Sequence, residues 1–286
     1  MHAKEVRLGL CFFNNRLFYA VNDPGKKAHL KHIGAIDFSF NVPHALFKYT
    51  GRHTAHLKEA VNRLKERFGF SHLQVLLHPQ TECKTVLPKL VYDNAEEREA
   101  HINILMNGVK RNKIHTSWHS LSNEKFKLLK LQTDDSLRGP LAITEGQPNV
   151  HLLSTFEIGE HWISHARPGG SILTVCCYKN CVAVSSYILG KLRGTTHLPF
   201  DEIGDLPYFW LQQSKVYPWM KGLHEQIQVF GYQADKIIDL LQPFWDDAGA
   251  ITKMDSLEKI DVTADEKTYS FDLASAYPVI MMALGK

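Results

Sequence analysis

Apolar positions along this chain fall into short runs divided by polar turns, and one such pattern occurs twice. Residues 172–178 (ILTVCCY) are apolar, Lys179 and Asn180 turn the chain, and residues 181–189 return as a second apolar run. Two strand-like runs joined by two turn-forming residues predict a β-hairpin. Near the start, residues 6–13, the turn Asn14-Asn15 and residues 16–21 read the same way. Placing Arg16 under Cys181 also puts Leu10 under Val175 and Cys11 under Cys176. That register points to a long-period internal duplication; the alternative is chance recurrence of a common hairpin-helix-strand unit.

The flanking patterns extend both copies. In the first half, residues 29–40 supply a third strand after the Asn22-Asp23-Pro24-Gly25 turn. Leu57, Val61, Leu64 and Phe68 then recur at helical spacing up to Gly69, and residues 73–77 form a short buried strand. In the second half, residues 191–198 supply the third strand, a helix is expected from Asp201 towards Gln213, and a strand over 227–230 ends at Gly231. Each half reads βββαβ. A helix over 234–241 ends before Pro243, and a final apolar helix over 270–284 contains Pro278, expected in its first turns or at a kink.

Between the halves the texture changes. Residues 81–132 read as a small α+β insertion: a strand over 83–87, Pro88, a helix opened by Asn94-Ala95-Glu96-Glu97, and a pair of strands over 113–121 and 125–131. Residues 133–148 (TDDSLRGPLAITEGQP) are rich in turn formers and predict a loop. Residues 150–167 are ambiguous at first and helical from Phe156 on, and Arg167-Pro168-Gly169-Gly170 marks a boundary. The expected division is 1–168, carrying the insertion, and 169–286.

Composition adds few constraints. At 44% hydrophobic and 22% charged, the chain is an ordinary globular protein, and a formal charge of +3 over 286 residues argues against a dedicated nucleic-acid binder. Four of the five cysteines (Cys11, Cys176, Cys177, Cys181) lie in apolar strand patterns, which suits reduced buried thiols in a cytoplasmic protein. No apolar run approaches the roughly 18 residues of a membrane span, and the first residues lack the pattern of a secretory leader.

A duplicated βββαβα unit with an insertion in its first copy resembles the actin-like ATPase superfamily of actin, heat-shock chaperones and sugar kinases, an α/β fold of ribonuclease H-like halves. Within it the sequence is most similar to the bacterial pilus-assembly and cell-division actin homologues, through Val86-Leu87-Pro88 followed by a helix. The stretch from Lys191 through Asp205-Leu206-Pro207-Tyr208 to Phe230-Gly231 also resembles a bacterial family with this fold. The resemblance implies a nucleotide site between two lobes, with an Asp-x-Gly pattern at each hairpin turn. By the hairpin register, the matching positions hold Cys11-Phe12-Phe13 and Cys176-Cys177-Tyr178. Neither copy has the carboxylate, and Phe13 and Tyr178 stand where glycine would let phosphate approach. The adenosine-side double glycine is reduced to Gly231.

Other candidate groups each have a plainer reading. Cys177 and Cys181 flank a turn and suit a soft metal, but without a CxxC pair they read as core thiols. His161 and His165, like His115 and His119, have the spacing of one helix face, yet no HExxH frames them. The cluster Lys110-Arg111-Asn112-Lys113 suits phosphate or RNA, or simply a solvated helix end. The pairs Asp134-Asp135 and Asp246-Asp247 suit a cation or a helix cap. The aromatic segment Tyr208-Phe209-Trp210, with Phe244-Trp245, is partly core, while Tyr217 and Trp219 are candidate contacts for a protein partner or a second copy.

Three functions remain open. The first is a non-catalytic actin-like protein, a pseudo-ATPase without cofactor, acting as a cytoplasmic binding or scaffold protein. The second is an active ATPase or kinase whose Mg-ATP contacts come from Asp37, Asp201, Asp205 and Gly231. The third is an RNA-associated accessory protein.

Overall fold

The computed structural model describes residues 5–222, 224–245, 251–265 and 272–285. In chain order the first strands are β1 (Arg7–Phe13), β2 (Arg16–Asn22) and β3 (His29–Asp37), followed by helices α1 (Val42–Phe47) and α2 (Gly51–Phe68) and strand β4 (His72–Leu76). Then come β5 (Cys83–Pro88), α3 (Lys89–Asp93), α4 (Ala95–Leu105), β6 (Ile114–Ser120) and β7 (Phe126–Thr133). Helix α5 (Asp134–Thr144), strand β8 (Val150–Leu153) and helix α6 (Thr155–Ala166) lead to the second hairpin, β9 (Ser171–Cys177) and β10 (Cys181–Ile188). The chain continues through β11 (Lys191–Pro199), α7 (Leu206–Val216), β12 (Gln226–Gly231), α8 (Ala234–Leu241), β13 (Ile251–Lys253), β14 (Thr263–Ala264) and α9 (Leu273–Leu284).

Among the described residues the strands form three sheets, ordered β14-β3-β2-β1-β4-β8, β11-β10-β9-β12-β13 and β5-β7-β6. Both large sheets start from an antiparallel three-strand meander, and β1 and β9 then pair in parallel with β4 and β12. The duplication is therefore topological: the same wiring is laid down twice. No described helix is long and apolar enough to cross a membrane.

Alternation along the strands buries both faces of each large sheet. Leu8, Leu10 and Phe12 of β1 pack in a core with Leu57, Val61 and Leu64 of α2. Leu173 and Val175 of β9 share a second core with Trp210 of α7 and Ile237 of α8. The opposite faces meet in a core between the sheets, into which α6 and α9 are packed. Helix α9 is buried on every side from Ala274 to Ala283, and it lies so close to β1 that a Cβ on Gly9 would collide with the backbone of Val279.

Two elements differ from the sequence reading. Residues 134–144 form helix α5, not a loop: Thr133 and Ser136 close a capping box, and Leu137 and Ile143 are buried. The Gly and Pro that suggested a loop are instead packing devices, since Gly139 lets α5 lie against the backbone of Leu46. Helix α7 begins at Leu206 and not at Asp201, with Pro207 in its first turn, where a missing N–H costs nothing. Pro278 lies inside α9.

Candidate functional site between the two large sheets

The period of two along β1 and β9 decides what meets between the sheets. Cys11 and Phe13 point away from the α2 core, and Cys176 and Tyr178 point away from the α7 core, so both sets enter the middle. Phe13 and Tyr178 end up in ring contact, centroids 5.1 Å apart, both almost fully buried. The two aromatics standing at the matched turn positions therefore touch across the interface. The Tyr178 N–H donates to Cys181 O (2.9 Å), and its hydroxyl lies 3.2 Å from Thr155 Oγ1.

His78, just after β4, sets its ring edge-on to Tyr178 at 4.7 Å. Its Nδ1 accepts from the Gln80 N–H (3.3 Å), and its Nε2 is 3.9 Å from Cys181 Sγ. Burial, and next the neighbouring His197, lower its pKa to about 4, so the ring is neutral at physiological pH. The thiols are equally inert: burial raises Cys11, Cys176 and Cys177, and pushes Cys181 up to about 12.

One residue from Thr155 the chemistry turns ionic. Ser154 is the N-cap of α6, in a capping box with Glu157, and is fully buried. Its hydroxyl donates to Glu82 Oε1 (2.6 Å), which also accepts from Gln132 Nε2 (3.1 Å). Lys84 Nζ is 2.9 Å from Glu82 Oε2, and Lys130 Nζ is 3.7 Å from Oε1. Lys130 also donates to Ser154 Oγ (3.1 Å) and lies 3.9 Å from Glu157. Burial alone would raise the Glu82 pKa; Lys84, then Lys130 and the Ser154 hydrogen bond, outweigh it and hold the carboxyl below its ordinary range. Burial raises that of Glu157. The sequence reading missed this cluster, although Ser154-x-x-Glu157 is a capping-box signature and Glu82-x-Lys84 has the alternation that puts two charges on one side of a strand.

Outside the aromatic contact, a cavity of about 380 Å3 opens between the hairpin turns, lined by Asn14, Asn41, Gln80, Lys179, Asn180 and Asp201. Of the carboxylates singled out from sequence, Asp201 lines it. Asp37 pairs instead with Arg16 at the sheet end (2.5 Å), and Asp205 is the exposed N-cap position of α7. Gly231, at φ +102°, allows close approach to the backbone of Cys177, and Ser275 Oγ donates to its carbonyl (3.2 Å).

The remaining candidates are scattered. His161 Nδ1 lies 3.3 Å from Met281 O and His165 Nε2 2.8 Å from Ile260 O, so the pair addresses two different carbonyls. His115 pairs with Asp134 (2.7 Å) and His119 with Glu160 (2.6 Å). Among the described residues no group of three or more His, Cys, Asp or Glu is placed to hold a metal. Arg111 of the basic cluster forks onto Glu99 (2.6 and 3.1 Å). Tyr217 and Trp219 are half-buried and pack on the α7 core, Trp219 lying over Gly194. The Asp246-Asp247 pair lies outside the described residues.

No family model matches the sequence, and no curated protein matches it either. Solved structures do. A chain of the PilM-PilN type IV pilus biogenesis complex is similar over 99% of this chain and 98% of its own, with 12% identity and a TM-score of 0.67. The fold is that of the actin-like ATPases. The ethanolamine utilization protein EutJ from Carboxydothermus hydrogenoformans matches over 99% of this chain and 90% of its own (9% identity, TM-score 0.52). A Bacteroides thetaiotaomicron protein with actin-like ATPase fold and unknown function matches over 96% of both chains (12% identity, TM-score 0.50). In this actin-like fold the two large sheets are the centres of the two lobes, and the Phe13–Tyr178 contact lies between them.

Proposed function

We propose that this chain is a non-catalytic actin-like protein, acting in the cytoplasm as a binding or scaffold protein for a protein partner. The observation that carries the reading is the ring contact of Phe13 with Tyr178 at 5.1 Å, one from each hairpin. Two touching side chains at the paired turn positions exclude a phosphate chain from between them. Magnesium binding also demands hard oxygen ligands, and of the candidate carboxylates among the described residues Asp201 alone lines the adjoining cavity. Mg-ATP fits these residues poorly. The likeness to a chain of the PilM-PilN complex favours a protein partner. So do Tyr208, Leu211 and Val216 of α7, which are 65%, 45% and 62% exposed.

The test is titration with ATP and ADP plus Mg²⁺, read as a shift in Tm and by calorimetry. A ligand at a hundred times its Kd adds about 2.7 kcal/mol of stability. No shift at saturating nucleotide is expected; a magnesium-dependent shift overturns the reading and makes Asp201 the first residue to replace.

A further inference from the structure

Lys84 of β5 and Lys130 of β7 are directly opposed across the antiparallel ladder, and both side chains are largely buried, at 8% and 15% exposure. Two like charges at such a pair repel, and burial forbids water from screening them. The N-terminus of α6 adds the positive end of a helix dipole at Ser154. The side chains that reach the Glu82 carboxylate all present donors to it: two ammonium groups, the Ser154 hydroxyl and the Gln132 amide. Donors converging from two strands and a helix start are the equipment that recognises an oxyanion. The group found there is the chain's own Glu82 carboxylate, with no exposed side-chain surface.

We propose that Glu82 is a built-in ligand in an oxyanion-binding site formed by Lys84, Lys130, Gln132 and Ser154, and that the site takes a free carboxylate or phosphate once the Glu82 carboxylate is removed. Glu157 does not replace it. That carboxyl is turned to the Ser154 N–H (2.7 Å) and reaches Lys130 at only 3.9 Å. His197, on β11, is held towards its neutral form by burial and by Lys84, with Glu82 opposing. The internal anion thus ties the segment leading into β5 to the start of α6. It does so whether or not a nucleotide binds elsewhere.

The experiment compares full-length wild type, Glu82→Ala and Glu82→Gln in chloride, formate and phosphate at matched ionic strength, with Tm as the readout. In chloride, Glu82→Ala is expected to melt on the order of 5–10 °C below wild type. Formate or phosphate should restore several degrees to Glu82→Ala and leave wild type and Glu82→Gln, whose site is still filled, unmoved. Rescue by formate alone assigns a planar carboxylate site; rescue by phosphate assigns one that admits a tetrahedral anion. A Glu82→Ala response no larger than that of Glu82→Gln overturns the proposal. If Glu82→Ala is unfolded in chloride, refolding in formate or phosphate supports the proposal, and failure in all three salts overturns it. Nucleotide titration of wild type is a separate readout, so failure here is distinct from failure of the scaffold reading.

Discussion

The space between the lobes is filled in two chemically different ways within a few residues of each other. On one side Phe13 and Tyr178 meet as rings. On the other, Glu82 is held by Lys84, Lys130 and Ser154. The helix start at Ser154-Thr155 joins the two, since Ser154 serves the carboxylate and Thr155 the phenol. The aromatic side is stable in itself: buried apolar area needs no particular protonation state. The ionic side is conditional, because each buried charge is tolerable only while its counter-charge is present. The same lobe interface therefore has one part that ignores pH and one that does not.

The sharpest test of that contrast is a pair of substitutions read at several pH values. Phe13→Ala should cost about 3–5 kcal/mol by loss of transfer energy and a residual cavity, with equal loss at every pH where the protein is folded. Glu82→Gln keeps the shape and the Ser154 contact but takes the counter-charge from Lys84 and leaves Lys130 only Glu157 at 3.9 Å, at a cost of about 3 kcal/mol near neutral pH. Because the folded pKa of Glu82 lies below its ordinary 4.5, its contribution is present above that value and is lost as pH falls through the lower folded one. The gap between wild type and Glu82→Gln in urea unfolding should shrink in acid, while the Phe13→Ala gap stays. A Glu82→Gln gap that is flat into acid would show that packing, not charge, holds this side.

How much of this was legible in the sequence follows from the range of each interaction. The hairpins, the capped end of α2 at Gly69 and helix α8 are local features, written in alternation, turn residues and a left-handed cap. The aromatic positions Phe13 and Tyr178 were also readable, because duplication supplied a register; their contact was not, because alternation gives a face and not a distance. Helix α5 reads as a loop for a physical reason: Gly139 and Pro140 look like breakers until the backbone of Leu46 is seen lying against Gly139. The Glu82 cluster joins residues from two strands and a helix start, and no local pattern brings them together.

A smaller effect tests the boundary between the two sides, where His78 touches Tyr178 and Cys181. Its pKa falls from 6.5 to about 4 on folding, so its stabilising contribution is complete above 6.5 and declines as pH drops towards the folded value. Between pH 6.5 and 5 this one ring should account for about 2 kcal/mol of lost stability. His78→Phe, which keeps an aromatic edge against Tyr178, should lower the slope of unfolding free energy against pH in that window by close to one proton. An unchanged slope would mean that His78 is protonated in the folded protein and that the aromatic side is less dry than its burial implies.

The smallest expected effect separates ring from hydroxyl. Tyr178→Phe removes the buried hydrogen bond to Thr155 at 3.2 Å and leaves the contact with Phe13 intact. The cost should be about 1 kcal/mol, the usual net value of such a bond, and a drop in Tm of a few degrees. In a double-mutant cycle with Phe13→Ala the two losses should not add, because the rings are in contact and the cavity left by Phe13 lets the Tyr178 ring shift. A Tyr178→Phe loss as large as that of Phe13→Ala would move the weight of the interface from the ring pair to the polar chain through Thr155, and the two sides of the lobe interface would then be one hydrogen-bonded system anchored on the start of α6.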